Sequence, residues 1–177
     1  MRKYRKIIFV CASGTARAPM AEAIMKDYTI KYPLEIESKG LVVLFPEPVN
    51  QKAEAVLISN GINLENQMSS QLEQEDLEPD NLIITMEEAQ KQKIIETYEL
   101  PEGVDIEVLT ELTGDELEII NPYGGTLQSY GLCYETLNKT IKKLVSMVNE
   151  AADDEAEKEE AAEDSESRFA ESEEAEV

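Results

Sequence analysis

The stretch Ile7-Ile8-Phe9-Val10-Cys11-Ala12-Ser13-Gly14-Thr15-Ala16-Arg17-Ala18-Pro19-Met20-Ala21-Glu22 decides how the rest of the chain is read. Its first four residues are β-branched or aromatic and give way to a run of small residues, which reads as a short buried strand. Pro19 suits the first turn of a helix, where its missing N–H costs nothing. Between strand and helix lie Cys11, five small residues and Arg17. Such a loop can wrap backbone N–H groups around an anion at a helix N-terminus, where the helix dipole also favours negative charge. The same field favours a thiolate, and Arg17 offers a planar fork for two phosphate oxygens. A nucleophile and a bidentate clamp across an oxyanion cradle suggest phosphoryl transfer through a cysteinyl-phosphate. Cysteine and arginine at this spacing are a weak pattern alone; strand, small-residue loop, arginine and helix-start proline together give it weight.

Downstream, Met20, Ile24 and Tyr28 recur at helical spacing, and residues 34–38 read as a second strand after Pro33. Strand, helix and strand in about thirty residues make a βαβ unit with a parallel sheet and a right-handed crossover. Asn50 opens a further helix that Asn60-Gly61 ends. Residues 71–77 read as a short polar helix, 81–86 as a third buried strand and 87–98 as a helix. Residues 104–109 alternate apolar and acidic, as a half-exposed or edge strand does. The longest helical pattern runs over 127–148, with Leu137, Ile141, Leu144, Val145 and Val148 as its stripe, and Cys133 reads as a buried helix residue. The expectation is an α/β fold: a three-layer open sheet of about four parallel strands with helices on both faces. The anion loop follows strand 1, at the carboxyl ends of the strands.

Composition narrows the function classes. The 177 residues suffice for one domain with a real core. No apolar run is long enough to cross a bilayer, and the basic start, Met1-Arg2-Lys3-Tyr4-Arg5-Lys6, lacks the features of a signal peptide. Two distant cysteines, Cys11 and Cys133, suggest neither a disulfide framework nor a zinc site. The absence of histidine excludes a histidine base or histidine metal ligand. A cytoplasmic protein without metal or other cofactor is expected. The net charge of −22 argues against nucleic-acid or anionic-membrane partners. That charge is uneven, with 14 acidic and 2 basic residues in 150–177. The organisation expected is one domain over 1–149 and an acidic tail over 150–177. The tail holds a single aromatic, Phe169, and is expected to be disordered, although alanine and glutamate favour helix.

Two segments together resemble the low-molecular-weight protein tyrosine phosphatases. Residues 11–22 resemble that family's Cys-x5-Arg-Ser-Pro-Met-Ala-Glu signature, and Asn121-Pro122-Tyr123-Gly124-Gly125 resembles its Asp-Pro-aromatic loop. Landmarks between them match in order, and the resemblance spans residues 6–148. It implies that Cys11 attacks phosphorus and Arg17 binds the transferring phosphoryl group. It also makes the backbone amides of Ala12, Ser13, Gly14, Thr15, Ala16 and Arg17 the cradle, Asn121 the general-acid position, and Tyr123 and Thr15 walls beside the substrate. The partner so implied is a phosphorylated protein or peptide, carrying phosphotyrosine before phosphoarginine. Thr15 is the one residue that points to the second, because bacterial arginine phosphatases resembling this family carry threonine there.

Four departures qualify the resemblance. Asn121 stands where the family has its proton-donating aspartic acid, and Ala18 replaces a serine thought to bond the thiolate. The first change removes assistance typically worth about 10²–10⁴-fold; the second removes a bond to a charged group worth roughly 1.5–3 kcal/mol. The family's Gly-Asn pair in the loop reads Ser13-Gly14, which still permits closure because glycine adopts left-handed backbone. A second loop cysteine is Ala16 here. Asp115, Glu116 and Glu118 precede Asn121 and read as loop charges rather than substitute acids. The sequence therefore leaves two readings, a phosphatase weakened at its acid position and a phosphate or phosphopeptide-binding module. The acidic tail is expected to disfavour acidic substrates at low salt.

Overall fold

The computed structural model describes residues 1–175. The sheet forms because the apolar side chains of four short strands have nowhere else to hide. β1 (Lys6–Cys11), β2 (Glu35–Gly40), β3 (Asn81–Thr85) and β4 (Asp105–Val108) lie parallel in the order β2-β1-β3-β4. Residues of β1 alternate between the two faces. Ile7, Phe9 and Cys11 join one core with Ile36, Leu82 and Ile84, while Ile8 and Val10 join another with Ile83 and Ile106. Burial on both faces explains why β1 and β3 read as unbroken apolar runs and the edge strand β2 does not.

Helices cover both faces, so the layers are helix, sheet and helix. α1 (Arg17–Lys26), α2 (Gln51–Ser59) and the first part of α5 (Leu127–Ala175) pack the first core. α3 (Glu88–Thr97) closes the second through Ile94, beside Leu72 and Leu77 of the preceding connection. The Tyr98 hydroxyl donates to the Leu72 carbonyl at 2.6 Å and seals that side. Asn50 caps α2, its side chain accepting from the amides of Lys52 and Ala53. Residues 71–77 hold only one 3₁₀ turn, Gln74–Asp76, and an unanticipated short helix, α4 (Leu109–Thr113), follows β4 directly.

The C-terminal segment departs from the expected disorder. α5 is a single helix of 49 residues that runs through the acidic stretch to Ala175, and the remaining residues of the tail, 176–177, lie outside the described residues. Its alanines and glutamates are strong helix formers. Its first turn is held down, with Ala151 buried and ion pairs from Lys31 to Asp153 and from Lys3 to Glu155. Beyond that turn the helix is solvent-exposed.

Consecutive strands place the site. β1 leads to β2 on one side, and the chain then crosses β1 to add β3 on the other. The crevice of an open α/β sheet opens where such a reversal occurs, at the carboxyl ends of the strands. The loop from β1 to α1 lies there.

Candidate active site

The loop of residues 12–16 keeps its shape through its carbonyls. Those of Cys11, Ala12 and Thr15 accept from the amides of Leu41, Val42 and Asn50 at 3.0, 3.1 and 2.8 Å. With the carbonyls turned outward onto that segment, the amides of 12–17 find no acceptor among the described residues. The first turn of α1 has no side-chain cap either. Unpaired N–H groups at a helix N-terminus form a concavity for an anion.

Two glycines make the closure sterically possible. Gly14 has φ +69°, and a Cβ there would stand 2.8 Å from the Gly40 nitrogen. A Cβ on Gly40 would stand 2.6 Å from the Ser13 carbonyl carbon. The loop thus lies backbone to backbone on the end of β2. The Ser13 and Thr15 hydroxyls bond each other at 2.8 Å.

Cys11 is buried, and the amide of Ala18 donates to its Sγ at 3.4 Å. The position that lost a serine hydroxyl therefore still offers the sulfur a donor, from the backbone. Arg17 is 2 % exposed, and its Nη1 donates to Glu87 Oε1 at 2.9 Å and to the Ile119 carbonyl at 2.8 Å. Its Nε and Nη2 have no partner among the described residues. They are not among the sealed buried polar atoms either. One edge of the guanidinium is anchored to the protein and the other remains open, the arrangement a bidentate oxyanion clamp requires.

Arg17 also joins the early loop to the late one. Ile119, whose carbonyl it holds, is two residues before Asn121, and Glu118 accepts from the Glu88 amide at 2.7 Å. Asn121 turns its Oδ1 back onto the amide of Tyr123 at 3.2 Å, and Lys52 ties the loop's far end through the Gly125 carbonyl at 2.6 Å. Tyr123 is 81 % exposed. The side chain of Asp115 is held by Lys143 and Thr113, and the bond from the Lys143 ammonium keeps its carboxyl below the usual range. Asp115 is thus tied to Lys143 and Thr113, one oxygen of Glu118 is held by the Glu88 amide, and Glu116 is exposed, as loop charges are.

Cys133 lies in the same buried core as Cys11. Burial pushes its thiol up to about 11; the Cys11 sulfur adds to the shift and Arg17 opposes it. Cys133 is therefore a neutral neighbour of the site. Sequence reading gave no role to Glu87 or to the Ile119 carbonyl. The available signal was physical: a buried arginine demands a carboxylate, and Glu87 stands just past the end of β3, beside the loop.

The model of the family described as low molecular weight phosphotyrosine protein phosphatase matches residues 6–155. The low molecular weight protein-tyrosine-phosphatase PtpB of Staphylococcus aureus is 32% identical over 143 residues, covering 81% of this chain and 99% of that protein. The crystal structure of a low molecular weight protein tyrosine phosphatase from T. tengcongensis superposes with a TM-score of 0.74 at 29% identity. It covers 80% of this chain and 98% of that one. YwlE arginine phosphatase from Geobacillus stearothermophilus superposes with a TM-score of 0.70 at 25% identity, over 82% of this chain and 92% of that one.

Proposed function

The chain belongs to the low molecular weight phosphotyrosine protein phosphatase family, and on that premise we propose that it hydrolyses a protein phosphomonoester through Cys11. The Cys11 sulfur attacks phosphorus, the bond from phosphorus to the leaving oxygen breaks, and a cysteinyl-phosphate forms. Water then attacks that phosphorus, the sulfur–phosphorus bond breaks and inorganic phosphate departs. The amides of 12–17 and the open edge of Arg17 bind the equatorial oxygens, where charge collects in the transition state. The observation that carries this reading is that open edge, Nε and Nη2, on a guanidinium whose other edge is fixed by Glu87 and Ile119.

Phosphotyrosine is the substrate favoured. A phenolic leaving group tolerates the loss of a proton donor better than an alkyl one, and Asn121 has no proton to give at neutral pH. Relatives with tyrosine-phosphatase names support the same choice. Thr15 and the likeness to an arginine phosphatase support phosphoarginine as the second substrate to test. A binding module is the competing reading, and one observation favours it: Asp115 and Glu118, the nearby carboxylates, are engaged elsewhere.

The test is hydrolysis of p-nitrophenyl phosphate from pH 5 to 8 by the wild type, Cys11→Ser, Asn121→Asp and Ala18→Ser. Turnover by the wild type that vanishes in Cys11→Ser is the expected result. An inert wild type restored by Asn121→Asp with Ala18→Ser would favour the binding module. Inactivity in every variant would overturn the loop assignment.

A further inference from the structure

Beside the cradle, between the loop of residues 117–125 and α5, lies a groove of about 380 Å³. Neither Cys11 nor Arg17 lines it. Its walls are Leu117, Ile119, Ile120 and Pro122 on the loop and Leu132 and Cys133 on the helix. Leu117, Ile120 and Leu132 are 77, 81 and 58 % exposed, an unusual cluster for large apolar side chains outside a contact surface.

Four of the polar side chains around the groove each have one atom already engaged. The Thr136 hydroxyl donates to the Leu132 carbonyl at 3.0 Å, and that of Ser129 bonds Thr126 at 3.2 Å. Glu118 accepts from the Glu88 amide and Asn121 from the Tyr123 amide. A charged or strongly polar occupant would lose hydration here and gain few bonds in return. The neutral Cys133 thiol adds no charge to the floor. An apolar side chain is the chemistry that fits.

Position says where such a side chain comes from. Asn121, Pro122 and Tyr123, which the family resemblance sets beside the substrate, also line the groove. Ile119 lines the groove and gives its carbonyl to Arg17, one hydrogen bond of 2.8 Å from the phosphate clamp. An extended peptide advances about 3.3–3.6 Å per residue, so a groove adjoining the phosphate site is reached by residues near the phosphorylated one in sequence. The 24 acidic against 14 basic residues of 1–149 also disfavour acidic flanks. Resting on the proposed phosphatase reading, we infer that this groove seats an apolar side chain flanking the phosphorylated residue and so selects substrates with leucine- or phenylalanine-like neighbours.

The experiment uses the full chain and phosphotyrosine peptides identical except at flanking positions, where leucine, phenylalanine, serine or glutamate is placed. Turnover is measured with the wild type and Leu132→Asp, and binding of the same peptides with Cys11→Ser. The expected result is about a tenfold advantage in kcat/KM and in affinity for the apolar-flanked peptides over serine, as for a hydrophobic specificity pocket. Leu132→Asp removes that advantage while hydrolysis of p-nitrophenyl phosphate, which has no flank, is unchanged. Equal affinity and turnover for all flanks, with p-nitrophenyl phosphate still hydrolysed, overturns the inference alone. Loss of p-nitrophenyl phosphate hydrolysis in the wild type overturns the phosphatase reading, and flank-dependent binding to Cys11→Ser then still decides the groove. A chain that sediments as a dimer, and as a monomer once Leu132→Asp is introduced, assigns the groove to a second copy and overturns the peptide assignment.

Discussion

Arg17 serves two loops at once, and its two edges separate the duties. Nη1 is committed to Glu87 and to the Ile119 carbonyl, so the orientation of Nε and Nη2 depends on a carboxylate 70 residues away. Glu87→Gln keeps the shape and an acceptor but removes the counter-charge. It is expected to cost about 1–2 kcal/mol of stability and to weaken binding of inorganic phosphate several-fold, because the guanidinium is no longer held square to the cradle; urea unfolding and phosphate titration read the two effects. Asn121 acts on a different step. A proton donor matters most when the leaving oxygen is basic, so Asn121→Asp is expected to raise kcat/KM on phosphotyrosine by about 10²-fold and on p-nitrophenyl phosphate by clearly less. An equal gain on both substrates would show that residue 121 acts by positioning and not by proton transfer.

At the scale of elements, the site is a contact between the β1–α1 loop and the end of β2. No atom separates the two backbones at Gly40, where an added Cβ would lie 2.6 Å from the Ser13 carbonyl carbon and 2.7 Å from Val43. Gly40→Ala is therefore expected to cost about 1–3 kcal/mol and to lower the rise in melting temperature that phosphate gives, since it disturbs the bound-state geometry as well as the fold. A second contact joins the turn after α4 to α5 through Asp115 and Lys143. Its sign with pH follows from the lowered carboxyl: the folded form releases its proton at lower pH than the unfolded chain, whose aspartates titrate near 3.9. The contribution is complete above that value and is lost as pH falls through the folded one. Asp115→Asn should then cost about 1 kcal/mol at pH 7, and the gap from wild type should close toward pH 3 in urea titrations. What sequence made legible at this scale was local: the apolar runs of β1 and β3, the small-residue loop between Cys11 and Arg17, and the Asn50 cap each declare themselves within a few neighbours. The Arg17–Glu87 pair and the groove beside Cys133 need the fold to bring distant segments together, and no spacing announces them. α4 was too short for a periodic pattern to reveal.

For the whole molecule, the acidic segment changes meaning once it is a helix. Low apolar content argued for disorder and high alanine and glutamate content for helix; continuity with the packed part of α5 lets propensity prevail, because the costly nucleation step is already made. α5 starts at the candidate site and carries its charge away from it. At 1.5 Å per residue, the tail begins about 35 Å from Leu127. Screening reaches about 8 Å at physiological ionic strength and about 30 Å at 0.01 M. At physiological ionic strength the acidic helix therefore has little influence on a small substrate at the site. Removing residues 152–177 should alter kcat/KM for acidic phosphopeptides by less than about twofold at 0.15 M salt, with any larger effect confined to about 0.01 M. The same truncation should leave the unfolding free energy within about 1 kcal/mol, since it removes two solvent-exposed ion pairs, Lys31–Asp153 and Lys3–Glu155, and no deeply buried side chain. A marked acceleration at 0.15 M would mean instead that the helix folds back toward the cradle in solution, and circular dichroism of the full and truncated chains would show whether it does so by unwinding.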